Sequence, residues 1–104
     1  MHIQLNTDAR IEGTEKLASH IKEIVEHSMS HFRRRITRVE VHLSDENAVK
    51  TGTPDKRCVM EARLEGHPPT AVTSHAPSLE EAVTGAAHKL KHAMDSLVGR
   101  LEKR

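Results

Sequence analysis

Thr37-Arg38-Val39-Glu40-Val41-His42-Leu43-Ser44 alternates along its whole length. Val39, Val41 and Leu43 fall on one side, and Arg38, Glu40 and His42 on the other. A period of two with apolar residues on a single side is the pattern of a half-buried strand, with one face covered and the other wet. The rest of the chain is then read for what supplies the cover.

Downstream, Lys56 to Glu65 repeats the pattern, with Cys58, Met60, Ala62 and Leu64 on the core side. Gly66-His67-Pro68-Pro69 is a turn, and Thr70 to His75 a weaker strand. The prolines before it place that strand at an edge, where a missing N–H does least harm. Between the second and third strands, Asp45 to Asp55 is polar and carries Gly52 and Pro54, the composition of a mobile loop. Upstream, Ile3 and Leu5 alternate with His2, Gln4 and Asn6 in a short first strand.

Two helical stripes provide the cover. Thr14 is the expected N-cap of the first, and Leu17, Ile21, Ile24, Val25, Met29 and Phe32 follow at helical spacing through about Arg33. The second opens on a capping box, Ser78 with Glu81, after Pro77. Leu79, Val83, Ala86, Leu90, Met94, Leu97 and Leu101 trace one face of a helix roughly 37 Å long if it runs to Arg104. Gly85 and Gly99 lie off that stripe, where each marks either a close approach or drift.

The order is β-α-β-β-β-α, an α+β fold with a four-stranded mixed sheet and both helices packed on one face. The strand-helix-strand crossover makes the first two strands parallel, and the other two pairings antiparallel hairpins. A chain of 104 residues suits one domain, residues 1–104. With one Phe, no Trp and no Tyr, its core is aliphatic.

Composition excludes several classes. No apolar run approaches the length of a membrane span, and the N-terminus has no basic-then-apolar signal pattern. The single Cys58 allows no internal disulfide. No membrane contact is therefore expected, and the compartment is the cytoplasm. No Gly-rich phosphate loop or nucleophile elbow is present, Cys58 falls on the core face, and no catalytic residue or cofactor is expected. Glu40, Glu61 and Glu65 alternate with Arg38, Arg57 and Arg63 on the outer sheet face, an arrangement read as cross-strand ion pairing.

Net charge is only +1, so any polyanion binding must come from charge placement. One basic cluster is Arg33-Arg34-Arg35 with Arg38, more arginine than a helix dipole needs and suited to bidentate phosphate contact. The other is the exposed side of the second helix and its tail, His88, Lys89, Lys91, His92, Arg100, Lys103 and Arg104, balanced by Glu80, Glu81, Asp95 and Glu102. Nine histidines include two pairs at i, i+4, His27 with His31 and His88 with His92, a spacing that puts both imidazoles within reach of one metal ion. Neither pair has the intervening Glu of a zinc protease, and Lys89 and Lys91 would repel a cation from the second. His42 or His75 could serve as third ligands, but no spacing demands it, and no metal site is assigned.

Three stretches carry a family resemblance: Ile36 to Ser44, Met60 to Gly66, and Ala82-Val83-Thr84-Gly85-Ala86-Ala87-His88-Lys89-Leu90. Together with the element order, they resemble the ribosomal-subunit-interface family, which includes hibernation-promoting factor and ribosome-associated inhibitor A. The resemblance covers nearly the whole chain as a spread pattern. It implies a fold like a double-stranded-RNA-binding domain with an extra first strand. It also implies a non-enzymatic translation inhibitor that binds the small ribosomal subunit and its rRNA and occludes the mRNA and tRNA channel in stress or stationary phase. No small-molecule substrate is implied, and the protein is expected to be a monomer off the ribosome. By position, Arg35 matches the basic residue before the second strand and Lys89 the lysine of the Lys-Leu pair in the second helix. His92 stands where Arg is usual, Glu80 near a usual Tyr, and Ser28 and Ser96 at usually basic positions. The short form is expected, without the C-terminal dimerisation domain. The expected RNA contacts are Arg33, Arg34, Arg35, Arg38, His88, Lys89, Lys91, His92 and Arg100. The alternative is a His-rich metal-binding or metal-sensing protein.

Overall fold

The computed structural model describes residues 1–9, 11–46 and 56–102. The mobile-loop expectation for Asp45 to Asp55 falls mostly outside them, as do Lys103 and Arg104. The elements run β1 (His2–Thr7), α1 (Glu15–Ser28), a 3-10 turn (Ser30–Phe32), β2 (Ile36–Asp45), β3 (Lys56–Leu64), β4 (Thr70–Ala76) and α2 (Leu79–Glu102). The sheet order is β1-β2-β3-β4, with β1 parallel to β2 and the other two pairings antiparallel. Both helices cover one face, as the alternation requires. Ile21 and Val25 of α1, and Val83, Ala86, Leu90 and Met94 of α2, close over Val39, Val41, Cys58, Met60 and Ala62 of the sheet.

The caps form where the sequence places them. Thr14 Oγ1 accepts from the Leu17 N–H at 3.0 Å, and Ser78 Oγ from the Glu81 N–H at 3.1 Å. Each satisfies one of the donors that a helix start leaves free.

Helix α1 ends at Ser28, short of the Arg33 that the apolar stripe suggests. The Met29 N–H still bonds Val25 O, but Ser30 Oγ donates to the His27 carbonyl, and Phe32 N–H to Met29 O, tightening the chain into a 3-10 turn. That turn keeps Met29 and Phe32 both in the core, so the apolar pattern outlasts the α-helix.

The outer face also differs from expectation. A register shift between Ile36 and Arg38 sets Arg38 opposite Arg63 and Glu40 opposite Glu61, so like charges face each other. The ion pairs run along β2 instead: Arg38 to Glu40 at 3.2 Å and His42 to Glu40 at 3.5 Å. The register is set by Val39, Val41 and Leu43 meeting Ala62, Met60 and Cys58 on the buried face. A misfit among these packed side chains, at about 1–3 kcal/mol, outweighs cross-strand charge effects of roughly 0.2–1 kcal/mol per pair.

Candidate nucleic-acid interface

The segment Phe32-Arg33-Arg34-Arg35-Ile36 explains its own geometry. Phe32 and Ile36 are each 2% exposed and anchor the two ends in the core. The three arginines between them have nowhere to go but solvent, and all three are exposed. The backbone fixes their presentation: Arg33 N–H bonds Ser30 O, Arg35 N–H bonds Phe32 O, and Glu65 N–H bonds Arg35 O. Ser30, His31 and the three arginines line a shallow depression of about 450 Å³.

Helices α1 and α2 run side by side in the same direction. His20 Nε2 lies 3.2 Å from Glu80 Oε1 near their starts, and Arg35 Nη1 lies 3.5 Å from Glu102 Oε2 at the far end. The last turn of α2, which carries Arg100, therefore ends beside the arginine turn. Segments distant in sequence thus share one end of the molecule.

His88, Lys89, Lys91 and His92 are exposed along α2. Lys89 Nζ donates to Thr73 O of the edge strand β4 at 2.7 Å, and Lys91 Nζ pairs with Asp95 at 3.2 Å. Arg38 is the exception among the expected contacts. It lies on the outer sheet face, away from both helices, bonded to Gln4 and Glu40. There it forms a row with His2 and Arg63 across three strands. The row borders a depression of about 500 Å³ that Glu40 and Glu61 also line. That row was hidden in the sequence because it depends on the strand register.

The His27–His31 pair is not carried on one helix, since α1 stops between them and His31 sits edge-on to Phe32 with ring centroids 5.1 Å apart. His88 and His92 do meet, Nε2 to Nε2 at 3.2 Å. Among the described residues, no group of three or more His, Cys, Asp or Glu could hold a metal ion. Cys58 is buried on the core face, and burial pushes its thiol from 9.0 up to about 12, which suppresses the thiolate.

Residues 6–102 match the family model described as sigma 54 modulation protein / S30EA ribosomal protein. The chain belongs to that family. Two solved structures share its fold. The N-terminal domain of Protein Y from Thermus thermophilus superposes with a TM-score of 0.76 at 16% identity, over 93% of this chain and 99% of that one. A ribosomal subunit interface protein from Coxiella burnetii gives 0.72 at 16% identity, over 95% and 99%. No curated protein matches the chain in sequence. The description of that family associates this S30EA-family chain with the ribosome. Among its described residues, no helix is long and apolar enough to cross a membrane.

Proposed function

We propose that the protein binds the small ribosomal subunit through rRNA phosphates, occludes the mRNA and tRNA channel, and silences translation under stress without catalysing a reaction. The observation that carries this reading is the arginine turn. Arg33, Arg34 and Arg35 are held exposed between two buried anchors, beside the end of α2 that carries Arg100. Arginine suits this role because its planar fork makes two parallel hydrogen bonds to one phosphate and keeps its charge at any cellular pH. The exposed strip of His88, Lys89, Lys91 and His92 extends the track along α2. Arg38 belongs to the opposite face and contributes least in this arrangement.

Specific placement matters because the net charge of +1 gives little general attraction to a polyanion. The test is cosedimentation of the purified protein with small subunits over a salt series. Binding at low salt that weakens steeply with added salt, as counterion release requires, supports the reading. No association at low salt, or association indifferent to Arg33→Glu with Arg34→Glu, overturns it.

A further inference from the structure

We propose that His88 and His92 form a two-imidazole clamp for a late first-row divalent metal ion such as nickel or zinc. The two residues are one turn apart on the exposed side of α2, and the helix backbone fixes their spacing. Their Nε2 atoms stand 3.2 Å apart, with ring centroids at 4.6 Å and planes at 72°. With metal–nitrogen bonds of about 2.05 Å, that separation corresponds to a bite angle of about 100°, between octahedral and tetrahedral values. Imidazole is a preferred ligand for zinc, copper and nickel.

In sequence, Lys89 and Lys91 argue against a cation here. In the fold each ammonium group has a partner of its own. Lys89 reaches the Thr73 carbonyl at 2.7 Å, and Lys91 is held by the Asp95 carboxylate at 3.2 Å. The site is exposed, so water fills the remaining coordination positions. Binding needs both Nε2 lone pairs, so in the metal-bound form each imidazole carries its remaining proton on Nδ1. The other close histidine contacts, His20 with Glu80, His42 with Glu40 and His75 with Glu46, offer one imidazole and one carboxylate each.

A bound divalent ion would add two positive charges midway along the basic strip. That consequence rests on the ribosome-binding reading, whereas the clamp does not. The test therefore uses the full chain alone, titrated calorimetrically with nickel chloride and with zinc chloride. One ion per chain is expected. Either His88→Ala or His92→Ala should weaken binding about tenfold or more, because the second ligand no longer acts at high effective concentration. The pair His27→Ala with His31→Ala should leave it unchanged. Saturating nickel should also raise the thermal midpoint by about 5 °C or more in the parent and not in His88→Ala. No heat with either metal, or equal binding by the His88→Ala with His92→Ala protein, overturns the proposal.

Discussion

Gly85 packs so closely on Ser74 that a methyl group on it would stand 2.5 Å from the Ser74 hydroxyl oxygen. The contact lets α2 settle onto β4, and Ser74 is itself buried. Gly99, in the same helix, would place a methyl group in open space. The two glycines should therefore respond oppositely to alanine. Gly99→Ala should stabilise by about 0.5–1 kcal/mol through helix propensity alone. Gly85→Ala should destabilise by about 1 kcal/mol, because overpacking outweighs the same gain. Adding Ser74→Ala, which removes the clashing oxygen and leaves the Cβ at 3.5 Å, should restore most of the stability. Urea denaturation of the parent and these variants closes the cycle, and equal effects of the two glycine substitutions would refute the packing argument.

Charge reversal at the arginine turn should be read through salt. Removing one phosphate-binding side chain flattens the plot of log affinity against log salt by about one unit. Arg33→Glu with Arg34→Glu should lower the slope by about two and weaken small-subunit binding at every salt concentration. Arg38→Glu, on the opposite sheet face, should change the slope far less.

Glu102 touches the same turn from the other side. Its contact with Arg35 is long and exposed at both ends, so it adds little to stability, within about 0.5 kcal/mol. Glu102→Gln should leave the melting temperature nearly unmoved and tighten binding to small subunits, since it frees Arg35 and removes a negative charge. Weaker binding by this variant would show that the carboxylate holds Arg35 in its working position.

Cys58 should resist alkylation in the folded protein at pH 8 and react at once in urea, which a thiol-labelling time course reads directly. Its thiol also couples stability to alkaline pH. The folded value of about 12 lies above the ordinary 9.0, so the unfolded chain loses the proton first. The stabilisation is whole below about pH 9 and declines as pH rises toward 12, by up to about 1.4 kcal/mol per unit. Cys58→Ser should remove this part of the pH dependence.

Phe32 anchors the arginine turn as well as the core. Phe32→Ala should cost about 3–5 kcal/mol, measurable by chemical denaturation.

Much of this was legible from periodicity. The alternation of Val39, Val41 and Leu43, and the long stripe from Leu79 to Leu101, set the element order, the parallel crossover and the covered face. What stayed hidden depends on how distant segments meet. Apolar spacing could not reveal that the chain changes from α to 3-10 geometry after Ser28, because Met29 and Phe32 are buried under either winding. Alternation alone puts Arg38 on the outer sheet face, but the row it forms with His2 and Arg63 needs the strand pairing and the shift between Ile36 and Arg38. Lys89 reads as a free cation in sequence, but its carbonyl partner lies 16 residues away on another element.

The like-charged register of β2 and β3 has a further consequence for how the chain reaches this structure. Sliding β3 by two residues against β2 would keep every apolar side chain on the covered face and bring Arg38 opposite Glu61. The hairpin thus carries a competing alignment that its surface charges favour and only the shape of its core rejects. The native alignment is the one in which Val39, Val41 and Leu43 meet Ala62, Met60 and Cys58, so the covered face sets the register against the preference of the outer face.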